Sequence, residues 1–595
     1  MSRFSSLFRR FRRDEEGNIF VLFGASSVPL LLIMGGAVDL VRYTRYKAEL
    51  SSAVDSASLA LSRKHRDYTV DQAEAFVTQY VASMMVQSGT VPTVAPFTIE
   101  GKFTVDEFIV SKTDNGFTVD AEASMDTIFL PLGNLAQAGS GIMSMPMNID
   151  AEVVHQTNRL EVALVLDNTG SMNCAGTVST CALNWSSPPS NSRIVALKDA
   201  AESLVNYLMK DDMEDPDQIK IALVPFETTV NVSAAATGNL ANSANWPSWI
   251  DNNVGSGSLA KWNGRNFDKW NQGTNAACTS GASCKVVGHR WLFDKLNNDK
   301  STVKWAGCVE MRAGTYELSD VAPDNAIKDS LYVPYFAPDE PDTNSVYTNN
   351  YLLDIVTGSA SARQKSVRKY RNNTDIQWQS GKPDVDATNS PYESGPNKGC
   401  PRPVVPLTNA DGRATINTAI DNMIAYWHAG TYIPVGLMWG WHVLSSGEPF
   451  TQGIDEDDEE FENTVKAIVL LTDGDNQIEP GDDADNHNKS NYTSYSYVTT
   501  LDSSGADRLS TTASASEGDL DTKLGTLCTA VKNDGGIRLY TITFGTLSTA
   551  TQTMMSNCAT LDQGERLWYH APNSSDLADI FGKIGEDLSN IHLAM

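Results

Sequence analysis

The strongest apolar pattern lies near the start of the chain. Asn18–Val38 (NIFVLFGASSVPLLLIMGGAV) contains no charged residue. A helix over that stretch measures about 31 Å at ~1.5 Å per residue, enough for the hydrocarbon core of a bilayer. Arg3, Arg9, Arg10, Arg12 and Arg13 precede it. The positive-inside rule then predicts a single-pass inner-membrane protein. Its parts would be a cytoplasmic basic N-terminus over 1–17, a transmembrane helix over 18–38, and a periplasmic remainder. Residues 39–65 read as a stalk helix continuing from the span, with Val41, Leu50, Val54, Ala57 and Leu61 at mostly helical spacing.

Residues 66–158 begin with a helical pattern, Val70–Val86. Period-2 alternation follows over Phe103–Ser111, Gly116–Ile128 and Met143–His155, which predicts a small α+β module. From Arg159 the pattern changes to continuous apolar runs: EVALVL (161–166), IKIALVPF (219–226) and VKAIVLL (465–471), then Gly536–Phe544 and Leu567–His570. Helical stretches alternate with them, at Ser192–Met209, Ile416–Tyr426, Val435–Leu444, Asp519–Lys532 and Ser575–Ile591. Buried strands alternating with helices predict a doubly wound, Rossmann-like α/β domain over 159–595, its parallel sheet covered on both faces. Ligands of such folds bind beyond the carboxyl ends of the strands.

Two stretches interrupt this domain. Residues 227–413 are rich in Gly, Asn, Ser and Pro, and hold Trp246, Trp249, Trp262, Trp270, Trp291, Trp305 and Trp378, most of the chain's 12 tryptophans. A structureless loop that long is improbable, so an inserted subdomain is expected, its tryptophans forming either a small core or an exposed binding face. Gln477–Glu517 reads as a polar surface loop, and Asp455–Glu460 (DEDDEE) as a solvated acidic run.

Composition narrows the function classes. The formal net charge is −28, which repels nucleic acid and favours cations. The eight cysteines are even in number, and an oxidising compartment favours disulfides. Eight cysteines allow 105 connectivities; short separations suggest Cys174–Cys181 and Cys278–Cys284, after which Cys308–Cys400 would close the insertion and Cys528–Cys558 would join the late helix to the segment after the last long strand. There is no C-x-x-C and only 8 His, so zinc is not expected. No G-x-S-x-G, G-x-x-x-x-G-K-[ST], H-E-x-x-H or G-x-G-x-x-G motif occurs, so the chain is not expected to be an enzyme.

The candidate chemistry sits at the strand ends. EVALVL runs into Asp167-Asn168-Thr169-Gly170-Ser171, and KAIVLL into Thr472-Asp473-Gly474. Ala429-Gly430-Thr431 lies at a loop-to-helix junction between them. Two carboxylates and three hydroxyls are hard oxygen donors of the kind that suit Mg²⁺. This pattern resembles a von Willebrand factor A (vWA) domain with a metal-ion-dependent adhesion site. The resemblance implies Asp167, Thr169, Ser171, Thr431 and Asp473 as metal ligands, with Thr169 standing where the family usually has Ser. It also implies Mg²⁺ as the ion (Ca²⁺ or Mn²⁺ being the alternatives) and an open coordination position for an acidic residue of a protein partner. Asp167→Ala is expected to abolish partner capture while leaving the fold largely intact.

GNIFVLFGASSVPLLLIMGGAVDLVRYTRYKAELSSAVDSASLAL is similar to the N-terminal module of TadG-like Flp pilus-assembly proteins. LVPFETTVNVS, GTYIPVGLMWGWHVLS and LYTITFG also resemble that family. The implied role is assembly or anchoring of a Flp-type (tight adherence) pilus, with pilus-assembly components and the inner membrane as partners and no nucleic acid. The alternatives are a surface adhesin that binds glycan through the Trp-rich insertion, and a metal-gated scaffold for an envelope ATPase system.

Overall fold

The computed structural model describes residues 18–593, except 63–67, 87–90, 132–142, 155–158, 176–187, 253–258, 383–391, 427–429 and a few shorter internal positions. The basic segment 1–17 and the end of the stalk, 63–65, lie outside the described residues. The chain divides into two compact units between Thr157 and Asn158.

In the first unit, α1 (Asn18–Ser62) is one continuous helix. α2 (Val70–Met85) starts at a capping box in which the Thr69 side chain and Gln72 satisfy each other's backbone N–H groups. Both helices pack on an antiparallel sheet of β1 (Phe97–Ile99), β2 (Phe103–Thr113), β3 (Gly116–Asp126) and β4 (Ser144–Val154), in that spatial order. Along β3, Phe117, Val119, Ala121, Ala123 and Met125 are buried, and the residues between them are more exposed. The buried set meets Leu50, Val54, Ala57 and Leu61 of α1 and Ala73, Val77 and Val81 of α2 in one core.

The expected transmembrane helix over 18–38 is corrected here. Among the described residues no helix is long and apolar enough to cross a membrane, so the single-pass inner-membrane placement built on that span is not supported. The apolar stretch is diluted by Gly24, Ser26, Ser27 and Pro29. Pro29 sits inside the helix. The hydroxyls of Ser26 and Ser27 turn back onto the carbonyls of Phe23 and Gly24. At the other end Asp39 is not a flanking charge in water. Its buried carboxylate accepts N–H groups from Ile128, Phe129 and Leu130 at 3.1, 2.8 and 2.9 Å, so α1 runs into the module's own packing.

The second unit follows the order β5 (Arg159–Asp167), α3 (Arg193–Leu208), β6 (Ile219–Phe226), α4 (His289–Asp299), β7 (Val405–Thr408), α5 (Arg413–Asp421), α6 (Ile433–Leu444), β8 (Thr464–Thr472), α7 (Ala513–Asn533), β9 (Arg538–Phe544), α8 (Thr549–Cys558), β10 (Trp568–Ala571) and α9 (Ser574–Leu593). Its sheet has the order β7-β6-β5-β8-β9-β10. β6, β5, β8, β9 and β10 are mutually parallel; β7 is an antiparallel edge. The sheet is therefore mixed, not wholly parallel as expected. Alternate residues of one strand enter different cores. Leu160, Val162, Leu164 and Leu166 pack with residues of α3, α5 and α9, while Ala163 and Val165 pack with residues of α6 and α7. That division explains the unbroken apolar run EVALVL, because both faces of β5 are buried.

The tryptophans of the insertion are core residues. Trp246, Trp249, Trp262, Trp270 and Trp305 are buried, and Trp291 and Trp378 are half-buried. The stretch 477–517 is not the surface loop its polar composition suggests. Tyr492 and Tyr497 pack with Tyr335 beside the Cys308–Cys400 disulfide, and Tyr495 and Val498 join the large core. Many of the buried polar groups there find partners within the chain, such as Asn266 donating to Ser496 at 2.6 Å. Asp455–Glu460 is exposed throughout. The pairs Cys278–Cys284, Cys308–Cys400 and Cys528–Cys558 are formed. Cys174 is also disulfide-bonded, and Cys181 lies outside the described residues.

Candidate metal centre

β5 and β8 are adjacent and in register, Leu471 opposite Leu166, so their carboxyl ends deliver Asp167 and Asp473 to one place. Asp167 is fully buried. Its Oδ1 accepts the Thr169 N–H at 2.9 Å and the Thr169 hydroxyl at 2.7 Å. Its Oδ2 accepts the Thr472 hydroxyl at 2.8 Å. Thr169 Oγ1 lies 3.0 Å from Ser171 Oγ, and the Ser171 hydroxyl donates to Asp473 Oδ1 at 2.5 Å. Asp473 Oδ2 accepts Arg193 Nη1 at 2.7 Å. Asp167, Thr169, Ser171 and Asp473 thus form one hydrogen-bonded chain.

Thr431 arrives by a different route. The side chains of Asn168 and Asn173 donate to the carbonyls of Ile424 and Ala425, each at 2.6 Å, which clamps that segment beside the first loop. Further on, Gly430–Thr431 pairs with Gln477–Ile478 as a short antiparallel ribbon. Gly430 is required there. Its φ is +106°, and a Cβ would stand 2.0 Å from the Gln477 carbonyl oxygen. The ribbon leaves Thr431 Oγ1 3.7 Å from the point where a Cβ on Gly474 would lie, next to Asp473. All five residues named from the sequence are gathered at one end of the sheet.

The electrostatics are those of crowded acids. Asp167 is raised above the usual carboxylate range, first by burial and then by the Asp473 carboxylate. Asp473 is also raised by burial, with Arg193 and Ser171 pulling the other way. Glu227, the residue after β6, is pushed well up by burial and by Asp167. Sequence reasoning passed over Glu227, Thr472 and Arg193. The first two were legible in principle, since both sit where a buried strand ends. Arg193 carried no such signal, because it opens α3 beyond a long loop. Among the described residues no group of three or more His, Cys, Asp and Glu is placed to hold a metal; this donor set relies on hydroxyls instead. Two acids and three hydroxyls fit a hard divalent cation, which accepts neutral oxygens beside one or two carboxylates.

Comparison with known proteins adds a family for the N-terminal part. Residues 17–62 match the Tad family, Flp pilus-assembly TadE/G-like, which shows the TadG-type resemblance over that segment and supports a pilus-associated role. Among curated proteins none matches the chain. Three solved structures align with this chain at low similarity. The pilus adhesin SpaC of Lactobacillus rhamnosus GG aligns at 10% identity and TM-score 0.29, covering 84% of this chain and 36% of SpaC. The vWF domain of the type V pili tip protein Mfa5 of Porphyromonas gingivalis aligns at 11% identity and TM-score 0.28, covering 74% of this chain and 97% of that domain. Proximal thread matrix protein 1 of the mussel byssus, with a zinc-occupied MIDAS motif, aligns at 11% identity and TM-score 0.25, covering 74% and 47%. Similarities this distant carry no functional weight for this chain.

Proposed function

We propose that the chain is a non-catalytic component of Flp-type pilus assembly or anchoring. Its second unit is a doubly wound vWA-type domain that captures a protein partner through a metal-dependent site. The observation that carries this reading is the arrangement at the ends of β5 and β8. Asp167 and Asp473 are buried, with the hydroxyls of Thr169, Ser171 and Thr431 gathered beside them, an oxygen-rich acidic pocket suited to a divalent cation. Asp167, Thr169, Ser171, Thr431 and Asp473 would hold it, Mg²⁺ being the expected ion. A cation there would supply an electrophilic position for one oxygen from outside the chain, and an acidic side chain of a pilus component suits it. The residues themselves do the positioning. Thr472 orients Asp167, Ser171 orients Asp473, and the Gly430–Thr431 ribbon sets the third donor.

The glycan-binding alternative needs exposed aromatic rings, and the buried tryptophans of the insertion do not favour it. The test is direct. The full chain is titrated with Mg²⁺ and Mn²⁺ by calorimetry, and pilus components are captured on it with and without chelator. Expected are one ion per chain and capture that chelator abolishes. Ion binding with chelator-insensitive capture would sink the metal-dependent mechanism.

A further inference from the structure

Both oxygens of Asp473 are already engaged by the chain itself. Oδ1 takes the Ser171 hydroxyl, and Oδ2 takes a guanidinium. Arg193 is held for that contact from two sides. It is the first residue of α3, and its backbone N–H donates to the Cys174 carbonyl at 3.0 Å, which ties the helix start to the loop after Ser171. Its guanidinium fills the space beside Gly545, just past the end of β9. A Cβ on Gly545 would stand 2.7 Å from Nη2 and 2.8 Å from Cζ, and the φ of Gly545 is +80°. The Arg193 side chain is 11% exposed and that of Asp473 is 0%. The pair is therefore well shielded, and shielding makes a charge contact stronger than at a surface.

A divalent ion at the site needs Asp473, and Arg193 holds it. We propose that Arg193 is a built-in counter-cation that sets the affinity of the site: it neutralises Asp473 in the ion-free protein and competes with the ion for that carboxylate. This rests on the metal reading above. The physical logic is linkage. Without any cation, Asp167 and Asp473 repel each other in a buried place, and the guanidinium relieves that repulsion. An entering ion must displace Arg193 from Oδ2 or share the carboxylate with it at short range. Each costs affinity, so the site is tuned to load only when the ion is plentiful or when a partner's carboxylate arrives with it. The same contact holds the empty site together, which keeps the five donors gathered.

The experiment compares the wild-type full chain with Arg193→Gln, Arg193→Lys and Arg193→Met. Mn²⁺ and Mg²⁺ are titrated calorimetrically, and melting is followed in EDTA and in saturating Mn²⁺. Arg193→Gln is expected to bind Mn²⁺ at least ~10-fold more tightly, given the strength of a shielded charge contact. It should melt lower than wild type in EDTA and gain more on adding the ion, because a ligand that binds only the folded state stabilises by mass action. Arg193→Lys keeps the charge and should stay close to wild type. Arg193→Met repeats the test if the Gln variant does not fold. Wild-type binding with equal or weaker binding in both neutral variants would overturn the role of Arg193 and leave the metal site standing. No ion binding by wild type or variants would overturn both.

Discussion

At the scale of single residues, Asp167, proposed above as a metal ligand, is also a structural member. Three hydrogen bonds converge on its carboxylate, from the Thr169 N–H, the Thr169 hydroxyl and the Thr472 hydroxyl. A position at the very end of a strand invites the expectation that Asp167→Ala removes the ion and little else. The buried partners argue otherwise. Truncation leaves orphaned donors inside the protein, at about 1–3 kcal/mol for such groups. Relief of repulsion with Asp473 offsets part of that cost. Asp167→Ala should therefore lose the ion and melt lower than wild type in chelator. Asp167→Asn keeps an acceptor at this position and removes the charge. It should lose the ion yet melt in chelator no lower than wild type. Calorimetry with Mn²⁺ and melting curves in EDTA separate the two outcomes, and a Asp167→Ala variant as stable as wild type would show the hydrogen bonds to be dispensable.

At the scale of elements, the parts legible in the sequence are those with one dominant local cause. β5, β6 and β8 were readable because burial on both faces leaves an uninterrupted apolar run, and the donors at their ends follow from chain order alone. The stretch 477–517 was misread because its polar residues are satisfied inside the protein by residues far away in sequence, as Ser496 is by Asn266. The edge strand β7 is short and antiparallel, and nothing in four residues announces that direction. The span 18–38 reads as transmembrane from its local apolar length, and nothing local in the sequence announces that Asp39 is capped by Ile128, Phe129 and Leu130, some 90 positions away. Two predictions belong to this scale. Gly430→Ala would drive a Cβ into the Gln477 carbonyl and displace Thr431. It should weaken ion binding by an order of magnitude or more while far-ultraviolet circular dichroism stays that of wild type; unchanged binding would mean that Thr431 is not a donor. The Cys308–Cys400 bond joins residues 92 apart in a region with little regular structure. Replacing both by Ala should destabilise the second unit by about 4 kcal/mol on the loop-entropy view, read as a lower denaturation midpoint. A change under ~1 kcal/mol would mean that the aromatic packing around it suffices.

At the scale of the whole molecule, the acidity of the chain continues into its interior, and this sets a pH dependence. Glu310 is pushed up to about 7 by burial despite its contact with Arg508, and Asp339 to about 7 by burial despite Lys369. Glu340 and Glu227 are raised as well, burial being the first cause in both. Their unfolded counterparts titrate near the ordinary values for Asp and Glu. Between roughly pH 4 and 7 the folded state therefore holds more protons than the unfolded one, and the free energy of unfolding falls as pH rises through that window. His289 works in the opposite direction. Burial lowers it to about 4 from 6.5, so the unfolded state takes up its proton first as pH drops below 6.5, and stability is lost there. His442 is likewise lowered by burial. Well above 6.5 the histidines are neutral in both states, and the carboxyls are opposed there by Lys398, which burial lowers to about 8. Toward lower pH these raised carboxyls, joined in the ion-free protein by Asp167 and Asp473, oppose three depressed histidines, His487 being the third. In chelator, the second unit should melt higher at pH 5.5 than at pH 7.5, by roughly 2 °C or more. Calorimetric scans in buffers of matched ionic strength measure this. A flat profile, or a melting temperature that rises from pH 5.5 to 7.5, would mean that Arg508 and Lys369 hold the buried carboxylates ionised, and that the interior acids are ion pairs through and through.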